Sequence, residues 1–274
     1  MNMQESSDAA VLLRDLRGRI AMLERGQVGP RGREDRFATG HAGVDRTLGG
    51  GLARGRLHEF YAADSGDDAS VHGLALMLAL RACAGGKAAG QGAILWLRTQ
   101  DAVRGQGGIS GEGLCAIGVD PARMLIGIMP DEKMLLRCAA DAARCEGLGC
   151  LLIDCPGRAP MLDLTASRRL VLAAERSGVT LFLIRGHGPP QPSAAESRWD
   201  VAAAPSTGLA QGLTMDAPGA PAFDVRLLRR RSGPDGLTWR MEWDRDSATF
   251  RDAPLSGAIL PLSADGSAAA GVAA

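Results

Sequence analysis

One short stretch has the layout of a phosphate-binding loop, but the residues that would bind phosphate are replaced. Residues 57–61 have strand character and lead into a small polar turn, after which a long apolar helical pattern begins. A working loop reads Gly, four residues, Gly-Lys and then Ser or Thr. In this chain those four defined positions hold Ala62, Asp67, Asp68 and Ala69. The whole degenerate loop consists of Ala62, Ala63, Asp64, Ser65, Gly66, Asp67, Asp68, Ala69 and Ser70.

Each replacement removes a different contact with a nucleotide. The glycines of a working loop let successive N–H groups point at the phosphates, whereas Asp67 restricts the backbone and adds a negative charge. Asp68 in place of lysine reverses the sign of an interaction worth about 4 kcal/mol for unit charges ~4 Å apart at a dielectric of about 20. Ala69 lacks the hydroxyl that would bind Mg²⁺, although Ser70 follows it. We therefore expect no nucleotide cofactor and no ATPase activity.

The composition argues against several other functions. The 31 basic and 31 acidic residues give a formal net charge of zero, so any nucleic-acid or membrane contact must be local. Aromatic residues make up only 4%, which is few for a surface that stacks on single-stranded bases. The histidines lack zinc-ligand spacing, no G-x-S-x-G elbow occurs, and the cysteines lack C-x-x-C spacing. The cysteines are interpreted as small apolar core residues, and no metal is expected.

The chain divides into three predicted parts. Residues 1–36 form an amphipathic helix (9–25) and a basic linker, residues 37–250 form one α/β domain, and residues 251–274 form a disordered Ala/Gly/Ser-rich tail. The predicted location is the cytoplasm, because the chain shows no apolar signal core and no run of ~18–20 apolar residues.

Within the predicted domain, short apolar strands alternate with helices. This alternation predicts a mostly parallel sheet covered on both faces. The strands are predicted at 57–61, 93–97, 124–128, 150–154, 179–184 and 201–204, followed by an antiparallel hairpin at 222–230 and 237–243. Helices are predicted at 71–83, 113–118, 131–145 and 163–177, and loops at 99–113 and 185–199. Asp163 is the predicted N-cap of its helix and Gly178 the predicted stop.

The order of these parts resembles the RecA-like core of the P-loop superfamily, from about residue 37 to residue 243. The degenerate loop carries the resemblance together with 117–125, Thr39-Gly40, Val44-Asp45, Leu48-Gly49-Gly50-Gly51-Leu52 and Gly55-Arg56-Leu57-His58-Glu59. Leu151-Leu152-Ile153-Asp154 resembles the second acidic motif, whose aspartate normally helps to hold Mg²⁺ through water. The resemblance also implies a catalytic glutamate after the second strand, where Leu97-Arg98-Thr99-Gln100 has no carboxylate.

The sequence therefore predicts a RecA-like fold retained as a scaffold. Asp154 is interpreted as a structural acid at a strand end. Asp67 and Asp68 have a structural explanation as well, since carboxylates in the first turn of a helix complement its dipole by roughly 0.3–1 kcal/mol each. They can also take the place of the missing phosphate and help to stabilise an empty loop.

A more particular resemblance is to the ImuA family, the RecA-like accessory proteins of the bacterial inducible mutagenesis cassette. It is carried by 144–148, 197–206 and Trp239-Arg240-Met241-Glu242-Trp243. It implies a non-catalytic adaptor in SOS-induced, error-prone translesion DNA synthesis. The implied partners are an inactive Y-family polymerase homologue of the same cassette, a replicative-type error-prone polymerase alpha subunit and RecA. A SulA-like cell-division inhibitor and, more distantly, an ATP-dependent recombination protein stay open as alternatives.

Arginine clusters are the remaining candidates for a binding surface. One predicted hairpin strand and the residue after it carry Arg226, Arg229, Arg230 and Arg231. Further arginines on one helix and on the linker are Arg168, Arg169, Arg176, Arg31, Arg33 and Arg36. Such clusters are commonly solvated faces, and contact with DNA phosphates or an acidic partner is the alternative interpretation.

Overall fold

The structure is a computed structural model that describes residues 35–84, 92–157, 159–206 and 219–253. The predicted helix 9–25, almost all of the basic linker and almost all of the predicted tail lie outside the described residues. Within those residues, no helix has the length and apolar character needed to cross a bilayer.

The described elements alternate between strands and helices along most of the chain. The strands are β1 Arg36–Phe37, β2 Leu52–Ala53, β3 Leu57–Ala62, β4 Ala93–Thr99, β5 Met124–Met129, β6 Leu148–Asp154, β7 Thr180–Arg185, β8 Ser197–Ala203, β9 Ala222–Arg230, β10 Thr238–Asp244 and β11 Thr249–Asp252. The helices are α1 Ala42–Leu48, α2 Asp68–Cys83, α3 Gln100–Gln106, α4 Gly111–Ala116, α5 Glu132–Ala142 and α6 Leu164–Ser177. A 3₁₀ turn, Pro121–Arg123, precedes β5.

Nine of the described strands form one sheet in the order β11-β10-β9-β8-β3-β7-β6-β4-β5. Neighbouring strands pair in parallel in the part of the sheet that runs β8-β3-β7-β6-β4-β5. They pair antiparallel in the part that runs β11-β10-β9-β8. The predicted mostly parallel sheet with a C-terminal antiparallel hairpin is therefore confirmed. Strand β3, which leads into the degenerate loop, lies at the centre of this sheet between β7 and β8.

Continuous apolar strands let the sheet bury both of its faces. On β6, Leu152 packs into one core cluster with α2, whereas Leu151 and Ile153 pack into a second cluster with α5 and α6. The helix α2 is apolar around most of its circumference, because it is covered by the sheet and by α1. Asp163 caps α6 by accepting a hydrogen bond from Ala166 N at 2.7 Å, and Gly178 ends it with φ +84°, as predicted.

The sequence prediction was wrong at the glycine-rich segment 99–113, which contains α3 and the start of α4. Side-chain caps outweigh the glycines there: Thr99 Oγ1 accepts a hydrogen bond from Ala102 N at 3.1 Å, and Ser110 Oγ accepts one from Gly113 N at 3.3 Å. The predicted loop 185–199 is also shorter than expected, because β8 begins at Ser197. The strand β11 was not predicted.

Candidate functional site

The degenerate loop joins the carboxyl end of β3 to the first turn of α2. Ligands of open α/β sheets bind at this edge, beyond the carboxyl ends of the strands. The turn is closed on itself by Asp67 N, which donates to Asp64 O at 3.0 Å. It is also joined to β8, since Ala63 N donates to Val201 O at 2.9 Å. The loop is therefore a defined turn anchored to a neighbouring strand.

The side chain of Asp67 occupies two N–H groups around this turn. Its Oδ2 accepts a hydrogen bond from Asp64 N at 3.1 Å, and its Oδ1 accepts one from Ala203 N at 2.8 Å. Asp67 stands at the N-cap position of α2, yet within the described residues its carboxylate makes no capping hydrogen bond to the helix. The Asp67 carboxylate thus binds one backbone N–H of the loop itself and one of the neighbouring strand β8. In a working loop, backbone N–H groups point at the phosphates instead.

Other side chains complete the closure of the loop. Asp64 Oδ1 accepts hydrogen bonds from Ser65 N at 2.6 Å and Ser65 Oγ at 3.3 Å. His187, in the loop after β7, places Nδ1 3.0 Å from Ala63 O, and this nitrogen carries the proton because a carbonyl oxygen only accepts. Asp68 Oδ1 lies beside Gly186, where an added Cβ would be 3.4 Å away.

Asp154, the acid of the second motif, is fully buried and lies against an arginine and a histidine. Its Oδ2 accepts from Arg98 Nε at 2.8 Å and lies 3.0 Å from His72 Nε2. Arg98 is the direct cross-strand neighbour of Asp154, since β4 pairs in parallel with β6 in that register. The resemblance implies a glutamate near the end of β4. That strand end instead carries Arg98, whose guanidinium pairs with the carboxylate of Asp154.

Hydrogen bonds at both ring nitrogens fix the orientation of His72. Its Nδ1 lies 2.6 Å from Asp68 O, so this nitrogen donates, and its Nε2 lies 3.0 Å from Asp154 Oδ2. The same carboxylate oxygen accepts from Arg98, so the guanidinium is the charge partner of Asp154 within the described residues.

A tryptophan and the end of α3 hold the two bases in place. The rings of His72 and Trp96 stack with centroids 5.6 Å apart, and Arg98 Cζ lies 5.6 Å from the Trp96 ring centroid. Arg98 also donates to Gly107 O at 2.7 Å and to Gln106 Oε1 at 3.0 Å. Two buried polar atoms of this region, Asp154 Oδ1 and Trp96 Nε1, have no hydrogen-bond partner within the described part of the chain.

Sequence reasoning missed both His72 and Arg98. His72 follows Asp68 by one helical turn, a spacing that places the two on one helix face. That spacing was the available signal for His72. For Arg98, no local signal existed, because its pairing with Asp154 depends on the order of the strands in the sheet.

The same strand end also carries a cysteine, whose thiol could in principle act as a nucleophile. Cys155 follows Asp154 directly, and burial raises the pKa of its thiol to about 12. The thiol is therefore protonated at neutral pH and is a poor nucleophile. Within the described residues, no group of three or more His, Cys, Asp or Glu side chains is arranged to hold a metal ion.

The structure separates the four arginines of the predicted hairpin cluster. Arg226 pairs with Asp200 at 3.0 Å, and Arg230 Nη1 donates to Thr47 O at 2.6 Å on the face that α1 covers. Arg229 lies on the opposite face, in a groove with Leu164 of α6. Arg231 is exposed beyond the strand end. The cluster is therefore not one continuous basic patch.

Comparison with known structures identifies the fold. The RadB recombinase matches 79% of this chain and 99% of its own chain, with a TM-score of 0.54 and 17% sequence identity. At that identity the likeness shows the fold, which is RecA-like, and does not extend to activity. No protein-family model and no curated protein sequence matches this chain.

Proposed function

We propose that this chain is a non-catalytic, RecA-like adaptor in SOS-induced, error-prone translesion DNA synthesis. One observation carries the non-catalytic part of this proposal: the protein's own side chains occupy a backbone donor of the degenerate loop and the acid of the second motif. Asp67 accepts hydrogen bonds from N–H groups of the loop and of β8, and Arg98 neutralises Asp154.

Electrostatics support the same conclusion. The degenerate loop carries Asp64, Asp67 and Asp68 and has no basic residue, so it repels a polyanionic ligand. A magnesium ion at Asp154 would lie next to the guanidinium of Arg98, which already pairs with that carboxylate and would repel the ion. Nucleotide binding would therefore require both the displacement of Asp67 and the breaking of a buried ion pair, which is costly.

The adaptor part of the proposal rests on the ImuA resemblance of 144–148, 197–206 and the β10 segment with its two tryptophans. Its partners would be the inactive Y-family polymerase homologue, the replicative-type error-prone polymerase alpha subunit and RecA. The name RadB recombinase describes that protein, and its likeness to this chain supports the RecA-like scaffold on which these contacts would be built.

Two measurements test the proposal. Isothermal titration with Mg·ATP should detect no binding up to millimolar nucleotide, and micromolar binding would instead favour the ATP-dependent recombination alternative. Pull-down of the tagged chain from DNA-damaged cells, followed by pairwise binding with purified components, should recover the two polymerase proteins and RecA. Recovery of cell-division proteins in place of the polymerases would favour the division-inhibitor alternative and refute the adaptor role.

Two variants of the degenerate loop test the non-catalytic proposal further. Asp68→Ala removes one loop carboxylate without adding a phosphate-binding group, so it should leave damage-induced mutagenesis and partner binding unchanged. The triple variant Asp67→Gly, Asp68→Lys and Ala69→Thr restores the consensus loop residues after its first glycine. This variant should still not hydrolyse ATP. Hydrolysis would show that the chain has a catalytic group, which would refute the non-catalytic proposal.

A further inference from the structure

A groove lies on the face of the sheet that α6 covers, and none of the residues of the degenerate loop lines it. It is lined by Leu164, Pro190, Pro192, Ser193, Arg198 and Arg229 and has a volume of about 420 Å³. We call it the proline groove. Its walls come from the start of α6, from the loop between β7 and β8, and from the paired strands β8 and β9. This volume falls within the usual range of ligand pockets.

Hydrogen bonds hold the walls of the proline groove in place. Arg198 donates to Glu59 Oε2 at 2.8 Å, to Gln191 O at 2.6 Å and to Ser193 Oγ at 3.1 Å. Ala194 N donates to Ser167 Oγ at 3.1 Å, which fixes the loop to α6. A preformed groove loses little conformational entropy when a ligand binds, so it is a better docking site than a mobile loop.

The proline groove combines apolar walls with cations that lack a counter-charge. Arg198 is neutralised by the buried Glu59, but neither Arg229 nor Arg168 has a carboxylate partner among the described residues. Arg168 lies one helical turn after Leu164, on the neighbouring surface of α6. The nearby Asp163 carboxylate is engaged in capping α6. The groove therefore presents uncompensated positive charge to a ligand.

Exposed apolar side chains lie just before α6 and along it. Met161 is 49% exposed, Leu164 46% and Leu172 53%, and the last two lie eight residues apart with Arg168 midway between them. Large apolar side chains grouped on a surface mark a contact site for another molecule. Apolar residues alternating with arginine match a ligand that alternates apolar and acidic groups.

We propose that the proline groove binds an acidic peptide segment of a partner protein, with an apolar side chain beside its carboxylates. The apolar anchor would lie between Leu164 and the two prolines, and a carboxylate would pair with Arg229. Nucleic acid fits this surface less well, because its lining contains no aromatic side chain on which a base could stack. This inference depends on the proposed adaptor role in one respect: the chain must have a protein partner.

The test begins with phage-displayed random 12-residue peptides selected on the full-length chain. Selected peptides should contain Asp or Glu next to Leu, Ile or Phe. Arg229→Ser should weaken their binding at least tenfold in fluorescence anisotropy, since a charge-assisted contact worth about 1.4 kcal/mol corresponds to that factor. Leu164→Ser should weaken it severalfold, and binding should also weaken as salt is raised.

Matched controls distinguish the groove from general charge and hydrophobicity. Arg245→Ser removes an exposed arginine outside the groove, and Leu237→Ser removes a leucine that is 39% exposed in the β9–β10 turn. Both should bind the peptides within twofold of the parent protein. The proposal is overturned if no acidic-apolar peptide is selected, or if selected peptides bind Arg229→Ser as tightly as the parent.

Two further outcomes would assign the groove to another ligand and overturn the proposal. One is binding of a 30-nucleotide oligo-dT that Arg229→Ser abolishes. The other is a dimer, detected by light scattering, that Leu164→Ser dissociates. Binding of Mg·ATP would refute the non-catalytic proposal and leave the peptide result unaffected, so the two proposals fail separately.

Discussion

Two buried polar networks lie in the same sheet and differ in how their hydrogen bonds are completed. The charged network consists of Asp154, Arg98 and His72 at the carboxyl end of β6. The neutral network lies at the start of β3 and β8. There His58 Nε2 is 2.9 Å from Ala53 O, His58 Nδ1 is 2.7 Å from Ser197 Oγ, and Trp199 Nε1 donates to Ser197 Oγ at 2.8 Å.

In the neutral network, the donor and the acceptor of each hydrogen bond are defined. Ala53 O only accepts, so His58 carries its proton on Nε2 and accepts on Nδ1 from the hydroxyl of Ser197. Ser197 in turn accepts from Trp199. The charged network differs, because Asp154 Oδ1 is buried without a partner in the described residues. Complete pairing is typical of a structural core, so Asp154 Oδ1, unpaired in the described part of the chain, is the feature that sets the charged network apart.

The largest effect is expected from Arg98→Met in the charged network. Removing the guanidinium leaves the fully buried Asp154 without its strongest partner, so the free energy of unfolding should fall by about 3–5 kcal/mol. Urea denaturation measures this change. Combining Arg98→Met with Asp154→Asn removes the buried charge as well, and should restore a large part of the loss.

An exposed ion pair provides the control for that prediction. Arg104 pairs with Asp101 on the surface of α3, with side chains 72% and 81% exposed. Arg104→Met should change the unfolding free energy by no more than about 0.5 kcal/mol. Equal effects of Arg98→Met and Arg104→Met would mean that the Asp154 cluster is not a buried charge network.

The neutral network predicts a specific dependence of stability on pH. Burial lowers the pKa of His58 to about 4, and its Nδ1 already accepts a hydrogen bond that protonation would break. The His58 side chain takes up a proton near pH 6.5 in the unfolded chain but only near pH 4 in the folded chain. The contribution of neutral His58 to the free energy of unfolding is therefore complete above pH 6.5. It is lost as the pH falls towards 4, by about 3 kcal/mol in total.

Urea denaturation between pH 7 and pH 4 tests this dependence against a non-titrating variant. His58→Gln keeps an N–H donor and an acceptor, so the stability of this variant should depend less on pH over that interval. His187→Gln, at an exposed histidine, should keep the slope of the parent protein. Parallel slopes for His58→Gln and the parent would contradict the assignment of a neutral buried histidine.

The comparison also explains how much the sequence could predict. The central strands were predictable because residues 150–153 and 181–184 are continuously apolar, and the position of the degenerate loop followed from the strand before it. The contact of Arg98 with Asp154 was not predictable, because β5 separates β4 from β6 in sequence while the sheet places β4 and β6 side by side. The bond from Ala203 N to Asp67 depends in the same way on β8 lying next to β3.

A single hydroxyl connects the members of the neutral network, so Ser197→Ala should have an intermediate effect. The substitution leaves Trp199 Nε1 without an acceptor and His58 Nδ1 without a donor, both in buried surroundings. The expected loss is about 2 kcal/mol, the penalty of an unsatisfied buried polar group. Ser193→Ala is the control, since this serine lies in a more accessible loop. Equal losses would show that completion of the neutral network adds no stability.

The smallest effect is expected in the loop that lies above the charged network. Asp67 is only partly buried, so Asp67→Ala should lower the free energy of unfolding by about 1 kcal/mol. The local consequence should be clearer, because the amide protons of Asp64 and Ala203 lose their acceptor and should exchange faster with solvent. Asp67→Asn keeps one carbonyl acceptor and should therefore protect one of the two amides. Unchanged exchange at both amides in Asp67→Ala would mean that this carboxylate does not hold the loop closed and does not take the place of a phosphate.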